Sequence, residues 1–548
     1  MAGLDVRAAL KTGVAACHTD GVYSNHGRLY TPGQAQRPTR DPGPPRAMTT
    51  PEPSASRQLL PYRIAALVLL IACAALAVAL VQALTPAPKP LGASDALPGA
   101  GAPVKRAAPT GHSPHRQVVL DTMFKEHGEP LCEGCNIVVV SIDTLRPDRM
   151  SAYGYPQETT PRVRSWFGDA GRMERAYSSA PCTVPSVKQF MTSSYHGGFP
   201  TMAEAFGEQG YATAAIVSQH HLRIGRGTAR GFHHYDIQGL WERDAHSLST
   251  RRAETIVNKA IHWLEQDGQR AERFFLWLHH FDPHDPYHPP APFRDGLTAS
   301  SLVPDGDRRA VQMKRWEAAP ASERPEAWYL MDAIFSDADR AALLERYDAE
   351  IRYTDQQLGR LFDALERLQL TERTIVVLLS DHGERLGEDG AWDHCYTLAD
   401  VEIRVPLLWK IPGVTLPAST RALPASTLDV FPTLLHLIGD ASGRKRLAGR
   451  SLLDPPDERV VVASWRDEML AAMGSWKLLY THGDQGWTTD RLLRVAPDGA
   501  TSEAPLADHA EVVRAIEAGM DAIPSLDVDL HSINEETLDQ LRQLGYTQ

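Results

Sequence analysis

Four stretches of the chain carry side chains suited to making and breaking bonds. In Ser141-Ile142-Asp143-Thr144-Leu145-Arg146-Pro147-Asp148, Asp143 stands where an apolar run stops. A carboxylate at a strand end projects into the space beyond it and can hold a hard cation through oxygen; a turn or helix cap uses the same residue type. In Ser380-Asp381-His382-Gly383-Glu384, directly after the apolar run 374–379, adjacent Asp and His can converge on one metal if Gly383 allows a tight turn. The competing reading is an N-cap at Asp381 beside an exposed histidine. The stretch Trp277 to Pro290 holds four histidines (His279, His280, His284, His288) and four prolines. A stiff loop of that kind is electropositive when protonated, and it can grip an anionic ester or protonate a leaving group; otherwise it is a polar surface loop. His394 follows Asp381 by thirteen residues. Near a metal site it could donate a proton to a departing oxygen, although a lone histidine is more often structural.

The elements that must position these residues alternate. Residues 136–142 are almost wholly apolar, as expected for a strand covered on both faces, and similar runs lie at 212–218, 273–279, 374–380 and 405–411. Helical patterns lie between them at 201–210, 246–267, 338–369 and 428–438. This order predicts an α/β fold with a mostly parallel sheet flanked by helices, whose site lies beyond the carboxyl ends of the strands. Strand-like 460–465 and 476–480, then a helical pattern near 508–523, predict a small C-terminal α+β subdomain.

The net charge of −12 over 548 residues argues against a nucleic-acid partner. Six cysteines are too few for a disulfide scaffold. Cys132-Glu133-Gly134-Cys135 could close a small disulfide loop in an oxidising compartment or be two unrelated thiols; half of a zinc site would need a second pair, which is missing. Residues 1–61 read as a disordered segment, with an expected start at Met48 and residues 1–47 ahead of it. Residues 62–84 contain an uncharged apolar stretch of bilayer-spanning length, and 85–130 read as a linker. The Lys/Arg preceding the stretch predict a cytoplasmic N-terminus and a single-pass anchor, with the catalytic domain (131–457) and the C-terminal subdomain (458–548) outside, in a periplasm-like space. A cleaved signal peptide is the competitor.

Together these motifs resemble the alkaline phosphatase superfamily, specifically its sulfatase branch, over roughly residues 136–480. The stretches 145–155, 347–355, 403–408 and 429–435 look like family landmarks in family order. Ala180-Pro181-Cys182-Thr183-Val184-Pro185-Ser186 resembles the sulfatase nucleophile motif Cys-x-Pro-Ser-Arg with a shift: the nucleophile slot holds Thr183, Cys182 is one position early, and Val187 replaces the arginine. Sulfatases convert that cysteine to formylglycine, which a threonine cannot become. A threonine hydroxyl can still attack if a metal lowers its pKa.

The resemblance implies an alkaline-phosphatase-like fold and one divalent metal ion (Ca, Mg, Mn or Zn) held by Asp143, Asp381, His382 and the nucleophile Thr183. Thr144 stands where many sulfatases have a second aspartate. His394 matches a position that often carries the leaving-group Lys or His. His284, and with less support His279, matches the substrate-binding histidine of the long loop. Gln219 and His220 could reach the substrate, and Lys188 could replace the missing arginine if α-helical geometry turned it inward. The implied function is metal-dependent hydrolysis of sulfate or phosphate esters through a covalent Thr183 ester. Two rivals are a phospho-alcohol transferase acting on an envelope lipid or glycan, and a non-catalytic binding protein that keeps the fold. Formylglycine is not expected. The oligomeric state is left open.

Overall fold

The computed structural model describes residues 118–119 and 131–526, apart from 197–198, 241, 245–246, 249, 326, 441–443, 455–458, 484–485, 497–498 and 525. The segment expected to form an anchor, 62–84, lies outside the described residues. Among the described residues no helix is long and apolar enough to cross a membrane.

The main sheet is built from β1 (Asn136–Ile142), β2 (Ala212–Ile216), β3 (His234–Asp236), β4 (Phe274–His280), β5 (Thr374–Ser380) and β6 (Leu407–Lys410), in the spatial order β6-β5-β1-β4-β2-β3. All neighbours run parallel except β6, which pairs antiparallel with β5 at the edge. Every residue of β1, β4 and β5 is buried, which is why these strands read as continuous apolar runs instead of alternating ones. Two of their polar members are satisfied within the sheet: Ser141 Oγ accepts from Trp277 Nε1 at 2.9 Å, and Asn136 Oδ1 accepts from the Phe274 amide at 3.2 Å.

Helices cover both faces. Ile137, Val139, Phe275, Trp277, Ile375 and Val377 pack in one core with α1 (Thr183–Thr192), α2 (Met202–Glu208) and α5 (Val430–Leu437). The alternate residues Val138, Val140, Leu276, Leu278, Val376 and Leu378 pack in the other with α3 (Ala253–Trp263) and α4 (Asp337–Arg367). The two-residue period of the strands thus feeds two separate helical layers. After the main domain, β7 (Val460–Trp465), β8 (Glu468–Met473), β9 (Trp476–Gly483), β10 (Gly486–Val495) and β11 (Thr501–Ala504) form an antiparallel meander in sequence order, packed by α6 (Ala510–Asp521).

The helix expected over 246–267 starts only at Ala253, because Ser247–Leu248 pairs antiparallel with Glu242–Asp244. Its first turn is fixed from a distance: Asp282 Oδ2 accepts the Ala253 amide at 2.7 Å. The run expected at 405–411 is split, since Arg404–Val405 pairs with Arg175–Tyr177 in a different, three-stranded sheet.

Candidate active site

Four adjacent parallel strands deliver side chains to one place at their carboxyl ends. Asp143 follows β1, Asp381 and His382 follow β5, His279 closes β4, and Ser218 and Gln219 lie just beyond β2. Thr183 is the first residue of α1, whose N-cap is Cys182 in extended conformation. Gly383 makes the turn after β5 possible: a Cβ there would lie 2.2 Å from the Val401 carbonyl oxygen.

These side chains converge. Thr183 Oγ1 lies 3.1 Å from His382 Nε2. His382 Nδ1 donates to the Gly383 carbonyl at 2.8 Å, which makes Nε2 the bare nitrogen and leaves the Thr183 hydroxyl as donor. His382 Nε2 is 3.5 Å from Asp143 Oδ1 and 3.7 Å from Asp381 Oδ2. His279 Nε2 lies 3.6 Å from Asp381 Oδ2, and its Nδ1 meets Ser218 Oγ at 2.9 Å. Gln219 Nε2 donates to Asp143 Oδ2 at 2.5 Å. Asp143, Asp381, His382 and His279 are completely buried, and Thr183 retains 7% exposure.

The electrostatics are those of a site built for a cation. Burial, then repulsion from Asp381, pushes the Asp143 carboxyl well above the usual range. Burial also works against ionisation of Asp381, but His382 and His279 hold its carboxyl below its usual value. Burial lowers the His382 imidazole to about 4. A neutral His382 forms no ion pair with either carboxylate, so the 3.5 and 3.7 Å separations read as spacings between convergent ligands. Asp143 Oδ1 and Asp381 Oδ2 are buried without a hydrogen-bond partner. Carboxylate, carboxylate, neutral imidazole and hydroxyl, with two orphaned oxygens facing one space, fit a divalent cation. The ligand atoms of Asp143, Asp381 and His382 all lie within 4.8 Å of one another. Thr144, in the slot of a further aspartate, adopts φ 53° and leaves its buried Oγ1 without a hydrogen bond. A β-branched residue in the left-handed region is strained, and here the strain sits directly after Asp143.

His394 stands next to this cluster, its ring 4.6 Å from that of His382. Its Nδ1 lies 2.9 Å from Asp393 Oδ1, an ion-pair approach without hydrogen-bond geometry, and Nε2 is on the opposite side of the ring. The His284 ring is 4.9 Å away, edge-on, and burial followed by the neighbouring His394 keeps it neutral well below the usual imidazole range. His220 begins the turn after Gln219, and its Nε2 is engaged by Arg223 Nη1 at 2.5 Å. Lys188 is half-buried on α1. Five residues at about 100° each carry it roughly 140° around the helix from Thr183.

Sequence reasoning missed a second layer. Glu384 accepts from Tyr287 OH at 2.7 Å and approaches His394 Nδ1 at 3.8 Å. Arg308, wholly buried, lies 3.6 Å from Asp393 and 3.5 Å from Asp285 and supplies their counter-charge. Glu384, Asp393 and His394 are also close enough to bind an ion, but Arg308 already fills that electrostatic role. Nothing in the sequence singled out Arg308. A disulfide joins Cys182 to Cys395, with Cα atoms 4.8 Å apart, and another joins Cys132 to Cys135. The available signal for the first was that one cysteine precedes Thr183 and the other follows His394.

A hydroxyl, two carboxylates and an imidazole thus meet at the strand ends of an alkaline-phosphatase-like α/β sheet. The Sulfatase family model matches residues 135–440, and the chain belongs to that family. Iduronate 2-sulfatase of Mus musculus is 26% identical over 363 residues, covering 56% of this chain and 63% of that protein, so the chain spans just under two thirds of that relative. Two solved structures share the fold. The phosphonate monoester hydrolase SpPMH from Silicibacter pomeroyi superimposes with a TM-score of 0.52 at 17% identity, covering 72% of this chain and 97% of its own. The lipoteichoic acid synthase LtaP from Listeria monocytogenes does so with a TM-score of 0.50 at 15% identity, covering 77% and 97%.

Proposed function

We propose that this protein is a metal-dependent hydrolase of phosphate or sulfate esters that works through a covalent ester on Thr183, and that it acts outside the cytoplasm from a membrane anchor at 62–84. The observation that carries the reading is Thr183 Oγ1 at 3.1 Å from the bare Nε2 of His382, beside two buried carboxylates with orphaned oxygens. Asp143, Asp381, His382 and Thr183 would hold a divalent ion, which would supply charge compensation and lower the hydroxyl pKa. Thr183 Oγ1, its proton released to solvent, attacks phosphorus or sulfur in line with the departing oxygen, whose bond to that atom breaks. That oxygen takes a proton from His394 Nε2 while Asp393 holds Nδ1. Water then resolves the Thr183 ester.

Phosphate esters are the favoured class. A threonine phosphate is opened by attack at phosphorus, whereas a threonine sulfate lacks the gem-diol route by which formylglycine sulfate eliminates. The Cys182–Cys395 bond supports this choice, because a cysteine in a disulfide is not available for oxidation to formylglycine. Both disulfides fit an oxidising compartment.

The test is a panel of phosphate mono- and diesters, phosphonate esters and aryl sulfates with Mn²⁺, Mg²⁺, Ca²⁺ or Zn²⁺, on wild type and Thr183→Ala, followed by acid quenching and accurate-mass analysis of the Thr183 peptide. Thr183→Ala is expected to lower kcat by at least about 10³-fold and to abolish the adduct. Turnover that survives the substitution refutes the mechanism.

A further inference from the structure

The bond between Cys182 and Cys395 has no part in the chemistry described above, yet it sits between the two residues that must act together. Cys182 is the N-cap of α1, so its backbone sets where Thr183 starts the helix. Cys395 directly follows His394. The two cysteines are 213 residues apart in sequence, and the Cys395 amide also donates to the Pro181 carbonyl at 3.0 Å, laying the two segments side by side. The His394 segment follows the short strand Trp392–Asp393, paired antiparallel with Arg385–Leu386, and then leaves regular conformation. Asp393 and Cys395 have φ of 81° and 70°, left-handed values that non-glycine residues avoid. Such conformations are unfavourable and persist only where surrounding contacts enforce them. Contacts from outside the segment do so: besides the Pro181 carbonyl, Trp465 Nε1 of β7 donates to the Cys395 carbonyl at 2.8 Å, Arg308 lies 3.6 Å from Asp393, and the disulfide fixes the Cys395 side chain. Both cysteines are buried in an apolar cluster with Val461, Ala463, Trp465 and Leu470 of the C-terminal meander.

We propose, on the basis of the reading of Thr183 and His394 given above, that the Cys182–Cys395 disulfide is a positioning element that registers the leaving-group acid to the nucleophile. Proton donation by His394, and with it turnover of esters with poor leaving groups, then requires the bond to be closed. Opening it by a phosphine is balanced as follows: the phosphine is oxidised to its oxide by two electrons, the S–S bond is reduced to two thiols, and water supplies the oxide oxygen and both protons. The left-handed segment then loses its covalent tie to the Thr183 segment, and His394 Nε2 moves relative to Thr183 Oγ1.

A bond with only a structural role would lower stability and weaken turnover of all substrates alike. A positioning role predicts a selective loss, because an aryl leaving group of low pKa needs no proton and an alkyl alkoxide does. The experiment measures kcat/KM for a series of phosphate esters running from nitrophenyl to alkyl, in the metal-loaded full chain, for wild type and Cys182→Ala/Cys395→Ala, with thermal unfolding followed in parallel. The alkyl esters are expected to lose about 10²-fold and the nitrophenyl ester less than about threefold, giving a steeper dependence on leaving-group pKa. The same series is run on Cys132→Ala/Cys135→Ala before and after phosphine treatment, with the new thiols counted by alkylation and mass; this keeps the comparison if the other double variant does not fold. Equal loss across the series, or none, with the bond open overturns the proposal. Absence of turnover by the oxidised wild type overturns the hydrolase reading as well, so the two failures are distinguishable.

Discussion

Replacing Gly383 by alanine tests how closely the fold and the site are coupled. A Cβ at this position would lie 2.2 Å from the Val401 carbonyl oxygen and 3.1 Å from its carbon, where ordinary contact begins at 3.4 Å. Neither side can retreat easily. The Gly383 amide donates to the Glu402 carbonyl at 2.7 Å. Glu402 in turn is held by Arg385 Nε at 2.9 Å and by the Tyr396 amide at 3.0 Å. The substitution therefore forces a backbone shift of roughly 1 Å, and overpacking of this kind costs about 1–3 kcal/mol. The shift is passed on directly, because the Gly383 carbonyl accepts from His382 Nδ1 and fixes the ring that faces Thr183. Misplacement of a reacting group by that distance lowers turnover by about 10²-fold, and a loosened ligand weakens metal affinity by about 10–100-fold. Urea denaturation, metal titration by calorimetry and kcat on a nitrophenyl ester should show the three losses together. A Gly383→Ala protein with wild-type stability and wild-type metal affinity would refute the claim that this close approach orients His382.

Three further outcomes are expected. Gln219→Ala removes the 2.5 Å donor to Asp143 and should weaken metal binding by about tenfold, read by calorimetric titration, while circular dichroism stays unchanged. Dialysis against a chelator should lower the unfolding temperature, and restoring the cation at a hundred times its Kd should return about 2.7 kcal/mol, since the paired carboxylates are then compensated. Arg308→Met leaves Asp285 and Asp393 without their buried counter-charge and should destabilise the fold by about 3–5 kcal/mol in urea denaturation; a neutral effect would show that their charges are balanced elsewhere.

The sequence by itself determined the sheet and the strand-end residues. Runs such as 136–142 and 374–380 can be buried on both faces only in a covered parallel sheet, and that placement sends Asp143, Asp381 and His382 to one edge. Thr183 was legible through its resemblance to a nucleophile motif read in register with Pro185-Ser186. The tertiary structure decided what depends on contacts between distant segments. The start of α3 at Ala253 rests on Asp282, reached only after β4 has formed. The Arg308 counter-charge to Asp393 and the Cys182–Cys395 bond join segments separated by tens to hundreds of residues. A single sequence records periodicity along the chain, which fixes local elements, but pairing across it appears only once the sheet has set the distances between their ends.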